Sequence, residues 1–479
     1  MKRLTPTVRA RFHRGCVAAA VAATLLGGCS FIPTYQRPEA PVAAAFPLPG
    51  AAGGIAAAEL PWTDFLPDAR LRTLVDLALH NNRDLRVAVL NVEQTRALLG
   101  VQRADQLPSV GAGLSASRAP GTNRQQVSSY SLGLSVSAFE LDLFGRVKSL
   151  SEAALARYLA SDEGRRAAQV ALIATVANAD LALRADDELL AVTQRTLASR
   201  EEGLKLVRIR LDGGVSAEPE FRATESLVAA ARASLIALQR QRQQDMNALV
   251  LLLGQPLPAT LPVVQGLSTT SFADLPAGLP SEVLLQRPDV RQAEQLLIAS
   301  NAHIGAARAA FFPRISLTGS AGFASNQLSG LFDNTAWTFA GQLLQPLFDA
   351  GRNDAVLAAN RVARDIAVAQ YEKTVQTAFR EVADALAGRA TLGDQLAAQQ
   401  AQADAEGRRL ELAELLYQGG VNSQLDRLDA ERNALVARQA VVQLQLARLQ
   451  NAVQLYRVLG GGAPAGVNTA AGAAPPGGR

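Results

Sequence analysis

Few side chains in this 479-residue sequence are equipped for covalent or metal chemistry. Three His, two Cys and two Met are too few soft or imidazole donors for a redox or zinc centre. His80 and His303 each stand alone on a helical pattern, with no metal partner one turn on. No Ser-His-Asp order, Walker loop or dinucleotide fingerprint occurs, so the sequence names no enzyme class and carries no ATP motif with which to drive a process itself. What remains is one thiol and a set of carboxylates. Cys29 closes the run Leu26-Gly27-Gly28-Cys29. Asp426 and Asp429 are spaced by three, which puts both on one face of a helix. Ser423-Gln424-Leu425-Asp426 also fits a capping box, and the helix macrodipole favours an acid in the first turn.

The thiol takes its meaning from what precedes it. Lys2, Arg3, Arg9, Arg11 and Arg14 form a basic region without an acid, followed by the apolar run Val17 to Leu26, too short to span a bilayer. The whole resembles a bacterial lipoprotein signal: Leu and two small residues, cleavage before Cys29, and a thiol carrying diacylglycerol with an N-acyl chain such as palmitate on the new terminus. Removing residues 1–28 takes the formal charge from +4 to about −1, so a nucleic-acid partner loses its electrostatic support. Cys16 leaves with the signal, and with Cys29 acylated no disulfide is left to form. Ser30, by the sorting rule of enteric bacteria, points to the outer membrane.

Aromatics are 5% of the chain and charged residues 19%, while Ala, Leu, Val, Arg and Gln dominate, which favours long helices packed through small side chains. Residues 29–67, rich in Pro, Ala and Gly, read as a tether and extended strap. Helical periodicity then predicts one helix from Asp68 to about Ala104, stopped by Leu107-Pro108. Ser109 to Ser117 and Tyr130 to Ala138 alternate at period two and make a hairpin (109–140) with one apolar and one small or polar face. Such a hairpin suits a membrane β-barrel wall as well as it suits a soluble hairpin packed on helices. A helix of about 66 residues from Arg146 to Leu211, about 99 Å long, ends at Gly213-Gly214, and a second runs from Glu218 to Leu253.

The arrangement then repeats. Asp84-Leu85 matches Asp289-Val290 and Leu107-Pro108 matches Phe312-Pro313 at an offset of 205, while Gly213-Gly214-Val215 matches Gly419-Gly420-Val421 at 206. That is a structural duplication. It divides the chain into a first repeat (68–254), a linker (255–280), a second repeat (281–462) with its own hairpin (314–348), and a flexible tail (463–479). Strands are expected at Arg314 to Ala324 and Asn334 to Phe348, and a long helix from Arg352 to about Leu416. Four strands cannot close a barrel with a lumen, and an open edge in lipid is prohibitively costly. If the strands lie in a membrane, several chains must share one barrel, and three chains with twelve strands is the smallest closed solution with a lumen.

Over nearly its whole mature length the chain resembles outer-membrane efflux proteins of the TolC type, lipoprotein (NodT-like) branch. The segments that carry the resemblance are Tyr35-Gln36-Arg37-Pro38, Trp62-Thr63-Asp64-Phe65, Asn82-Arg83-Asp84-Leu85, Phe139 to Arg146, Arg287-Pro288-Asp289-Val290, Gln345 to Arg352 and Leu459-Gly460-Gly461-Gly462. Ala463 stands where many relatives carry Trp. The resemblance implies an α+β membrane protein: a homotrimer with a twelve-stranded β-barrel, four strands per chain, continuous with a long periplasmic α-helical barrel. It implies a passive exit duct for drugs or other small molecules, docked on a periplasmic adaptor and a proton-driven inner-membrane transporter. No catalysis, metal or cofactor is implied beyond the lipid on Cys29.

By the same resemblance the two helix turns, Asp212 to Glu220 and Gln418 to Asp426, form the tip that faces the inner membrane. Asp426 and Asp429 fall where relatives carry two inward acids, so a trimer would stack two carboxylate rings that attract cations and narrow the aperture. Helix capping is the competing reading of Asp426. Tyr417 matches a residue that helps tie the closed tip, or else packs as an ordinary aromatic. The closing Arg of relatives falls on Asn422, so that latch is missing. Glu220 aligns with an acidic tip residue or is simply solvated. Gly214-Val215-Ser216 and Gly420-Val421-Asn422 are the candidate adaptor contacts. Two other functions use similar features: protein or peptide secretion through the same channel, and a non-conducting periplasmic scaffold lipoprotein. With Met only at positions 1 and 246, a methionine path for copper or silver is not expected.

Overall fold

The computed structural model describes residues 30–46, 57, 59–66, 68–120, 126–273, 275 and 281–462. The signal segment 1–28, Cys29 and the tail 463–479 lie outside the described residues. Helices α1 (Ala69–Asn81) and α2 (Arg83–Ala104) lead to strands β1 (Val110–Pro120) and β2 (Gln126–Leu141), then α3 (Arg146–Asp212) and α4 (Glu218–Leu253). The second copy gives α5 (Pro288–Ala309), β3 (Arg314–Ser325), β4 (Thr335–Leu344), α6 (Arg352–Gln418) and α7 (Gln424–Val458). Both long helices have 67 residues and start 206 positions apart, as the duplication requires.

The expected single helix from Asp68 to Ala104 is two. Asn82 leaves helical geometry at ψ 130°. Its Oδ1 accepts from Leu85 N at 2.9 Å and so caps α2, while its Nδ2 donates to the Leu252 carbonyl at the end of α4. An amide side chain that satisfies both helix ends makes the break cheap. The fourth strand also ends earlier than expected, at Leu344. Pro346 has no amide to extend a ladder, and Leu347 and Phe348 stand 94% and 90% exposed beyond it.

The described residues fall into two compact units, one drawn from 1–39, 90–163 and 291–373, the other from 40–89, 164–290 and 374–479. In the first, all four strands form one antiparallel sheet in sequence order. Its register lines up Leu114, Leu132 and Phe323, and beside them Ala112, Leu134, Ala321 and Trp337, on one face. Gly113, Gly133, Gly322 and Ala336, with Gly111, Ser135, Ser320 and Thr338, line the other. The strap lies extended against α5. Phe31 stacks on Phe312 at 4.6 Å, Asn301 donates to the Pro33 carbonyl at 2.7 Å, and Arg37 pairs with Glu294 at 2.7 Å. Tyr35 donates to the same carboxylate, so the Tyr35-Gln36-Arg37 motif is a clasp.

The second unit is knit by buried charge. Arg184, 2% exposed, pairs with Asp68 at 2.7 Å and Asp180 at 2.6 Å, and Arg70 reaches Asp180 at 2.9 Å. Arg287 donates to Asp289, to Glu381 at 2.8 Å and to the Val458 carbonyl at 3.0 Å. Breaking one partner of such a set strands the other in a dry site, a loss of about 3–5 kcal/mol. Asp186 on α3 is different, because it meets another acid, Asp245 of α4. Burial above all, then the hydrogen bond and charge of Asp245 and the charge of Asp187, push the Asp186 carboxyl up to about 7, with Arg242 pulling the other way.

The folded chain therefore holds a proton on Asp186 that the unfolded chain releases near 3.8. The stability this proton confers is full below that value and is lost as pH rises through about 7. Thermal melts should show the wild type losing stability between about pH 4 and about pH 7, and Asp186→Asn, neutral throughout, losing markedly less.

Candidate functional site

Two helix turns in the second unit carry most of the residues singled out in the sequence. The first joins α3 to α4 and the second α6 to α7, and they are built alike. Gly214 and Gly420 both sit at φ +71°, a left-handed conformation that glycine adopts without strain. Val215 N donates to the Arg210 carbonyl at 2.8 Å and Val421 N to the Leu416 carbonyl at 2.9 Å, closing each helix with the same six-to-one bond. Val215 and Val421 then project 71% and 74% exposed. Ser216 Oγ donates to Glu220 at 2.6 Å, which ties Glu220 into its own turn.

Asp426 takes part in a complete capping box. The Ser423 hydroxyl accepts from Asp426 N, and Asp426 Oδ2 accepts from Ser423 N at 3.3 Å and from Ser423 Oγ at 2.8 Å. Asp429, one turn on, is ion-paired. It accepts from Arg409 of α6 at 2.9 Å and from Arg432, with Asn433 at 3.2 Å. In the protomer, then, one carboxylate is fixed by its own helix start and the other is compensated by two guanidinium groups.

Tyr417 is held from two sides. Arg210 Nη1 donates to its hydroxyl at 2.6 Å, and the guanidinium groups of Arg210 and Arg427 lie 5.7 and 5.5 Å from the ring centroid. Arg427, 6% exposed, also contacts Gln424 and Glu431, and Glu431 pairs with Arg200 of α3 at 2.9 Å. A continuous chain of charged contacts thus links α6, α7 and α3. Between the turns lies a cavity of about 430 Å³, lined by Arg210, Glu220, Tyr417, Gly420, Asn422 and Ser423 among others.

The structure brings Tyr417, Gly420 and Asn422 together around that cavity. Sequence reasoning missed Arg210, Arg409 and Arg427. Arg210 and Tyr417 are 207 apart, one position off the repeat, so the duplication places both near the ends of the two long helices, while their contact depends on how those helices pack. Among the described residues no His, Cys, Asp and Glu group could hold a metal, and no helix is long and apolar enough to cross a membrane. His80 Nδ1 bonds its own helix at the Asp76 carbonyl, and His303 is pushed below its usual pKa by burial and by Arg157.

Compared with known proteins, the chain matches the profile of a family described as outer membrane efflux protein over residues 74–255 and 279–461. It is 45% identical over 463 residues, 94% of this chain and 96% of the relative, to the probable efflux pump outer membrane protein TtgC of Pseudomonas putida. It is also 45% identical over 459 residues, 93% of this chain and 95% of the relative, to outer membrane protein OprJ of Pseudomonas aeruginosa. The open-state crystal structure of the Neisseria gonorrhoeae MtrE outer membrane channel superimposes with a TM-score of 0.85 at 42% identity, covering 92% of this chain and all of that one.

Removing the guanidinium by Arg210→Ala should free the Tyr417 hydroxyl and loosen the second turn. Backbone amides of residues 419–423 should exchange with solvent faster by up to about tenfold, the equivalent of ~1.4 kcal/mol, and Tyr417→Phe should give a similar change. Unchanged exchange in both variants would mean that the turns hold without this contact.

Proposed function

The chain belongs to the outer membrane efflux protein family, and on that premise we propose that it is the outer-membrane exit duct of a tripartite efflux system. It conducts drugs or other small molecules passively, receives them from an inner-membrane transporter through a periplasmic adaptor, and performs no catalysis. The sheet carries this reading. Four strands with one apolar and one small polar face, and two edges unpaired among the described residues, make sense in lipid only when neighbouring chains complete the ring. Three copies give twelve strands. A scaffold that never enters the membrane would gain nothing from Trp337 and Phe339 standing 78% and 69% exposed.

Roles follow for the turns. Asp426 and Asp429 are proposed as the gate, with Tyr417 as the tie that holds the turn closed and Arg210 as its partner. The clasp on Tyr417 supplies within one protomer what the missing Arg at Asn422 would have supplied. Gly214, Val215, Ser216, Gly420, Val421 and Asn422 are proposed to receive the adaptor. The two exposed valines offer apolar knobs, and glycine lets a partner helix approach the backbone closely. Cys29 is proposed to carry the lipid. The strap supports this, since Phe31 stacks on Phe312, two positions before β3 begins, while Arg37 is clasped by Glu294 further along α5, so the chain leaves the strap at the strand end of α5.

Two measurements test these assignments. Purified protein in planar bilayers should form channels that are closed most of the time, and Asp426→Ala combined with Asp429→Ala should raise the open probability several-fold. A double variant that conducts like wild type would return both acids to capping and pairing. Separately, the intact mass of membrane-extracted protein should fit a chain starting at Cys29 with a diacylglyceryl and an acyl group, and Cys29→Ala should lose that addition.

A further inference from the structure

The two duplicated hairpins differ at their outer ends. Helices join the sheet at the Val110, Leu141, Arg314 and Leu344 ends of the strands, so both hairpin loops lie at the opposite end. The first hairpin is polar there, with Arg118, Arg124 and several Gln and Ser between residues 118 and 129, whereas the β3–β4 loop gathers Leu328, Leu331 and Phe332 within 326–334 and carries charge only at Asp333. A turn between strands needs none of these apolar side chains.

Nor is the β3–β4 loop a free arch. Gln327 N donates to Ser325 Oγ at 3.2 Å, a short 3-10 turn follows at Leu328–Gly330, and Asp333 N donates to the Gly330 carbonyl at 3.2 Å. Leu331, 5% exposed, is its buried anchor. Phe332 meets Phe323 edge to face at 5.4 Å. Phe323 shares its row with Leu114 and Leu132 on the apolar face, so the loop folds down over that face and is turned away from the opposite one. Leu328 and Phe332 nevertheless stand 63% and 66% exposed, on a loop whose own bonds hold them in place.

We propose that the β3–β4 loop is a membrane anchor, folded over the lipid-facing side of the sheet with Leu328 and Phe332 set in the acyl chains of the outer leaflet. The proposal rests on the exit-duct reading, which puts this face against lipid. The apolar row of β3 runs from Ile315 to Phe323, eight steps, which is about 27 Å along the strand and about 21 Å of height at a tilt of ~40°. A barrel's apolar band is about 25 Å tall, so the strand alone ends short of the outer boundary. Two apolar side chains hung beside Phe323 make up that height. Tyr130, two positions further out than Leu132 and paired with Ser325, suits the boundary itself, with its ring toward lipid and its hydroxyl toward water.

The test is nitroxide labelling of Leu328→Cys and Phe332→Cys in full-length trimers, reconstituted in vesicles of phosphatidylethanolamine and phosphatidylglycerol. Collisions of each label with oxygen, which concentrates in hydrocarbon, are compared with collisions with a water-soluble nickel chelate present on both sides. Leu132→Cys on the apolar face and Ser129→Cys on the opposite face are the references, and labelled wild type gives the background of the native cysteines. Labels at 328 and 332 should match 132, with an oxygen-to-nickel ratio several-fold above that at 129. Because Phe332→Cys removes the ring that packs on Phe323, Leu328→Cys reports on the loop with that contact intact. A lipid-like label at 132 with nickel-accessible labels at 328 and 332 puts the loop in water and overturns the anchor. Labels at 328 and 332 shielded from both reagents mean that a neighbouring copy covers them, which overturns it too. A nickel-accessible label at 132 takes the whole face out of lipid and overturns the duct reading itself, a result distinct from the other two.

Discussion

Strands β1 and β4 each present a row of amide and carbonyl groups with no partner among the described residues, and in hydrocarbon every such group costs several kcal/mol. That single constraint organises much of what the sequence spends its residues on. It forbids a monomer in the membrane and obliges the outer face to be apolar at every second position. It makes the two-copy architecture economical as well, because a duplicated hairpin doubles the strands contributed by one chain. Where β2 and β3 approach each other most closely, no side chain fits at Gly133 or Gly322.

The helices answer a different problem. A helix of 67 residues without proline is long for a globular protein and gains little from propensity alone, so it must be stabilised along its length by what it packs against. Alanines supply much of the buried surface of α3, which allows close approach without large side chains. Direction and register are then fixed by a few buried charges. The Arg184, Asp180 and Asp68 cluster and the Arg200 and Glu431 pair add little net stability once desolvation is counted, yet they strongly disfavour any shift that separates the partners.

How much of this could be read from the sequence depends on the range of the cause. The long helices, the four strands and the duplication were legible because proline, glycine and periodicity act locally, and both long helices begin at the expected arginines. The break at Asn82 was not, since the carbonyl that rewards it belongs to Leu252, far along the chain. At the turns the capping box at Ser423 and Asp426 was legible from four consecutive residues. The partners of Asp429 and Tyr417 were not, because guanidinium groups reach them from other helices. The strap was legible as extended chain, but its clasp needed Glu294 brought alongside.

Capping and gating, set against each other as readings of Asp426, are compatible once the geometry is considered. The cap consumes Oδ2 and leaves Oδ1 free, so the helix start holds the carboxylate still at no cost to its charge. Asp429 is the less obvious case, since Arg409 and Arg432 compensate it within the protomer. A compensated acid on a symmetry axis repels its copies weakly, which favours a closed ring, and moving α6 away would withdraw Arg409 and expose the charge. Opening and electrostatic repulsion would then reinforce each other. If these acids form the proposed gate, the guanidinium groups belong to it as much as the acids do: α6 in place supplies Arg409, and α6 displaced would leave Asp429 with Arg432 of its own helix and a larger share of its charge uncompensated.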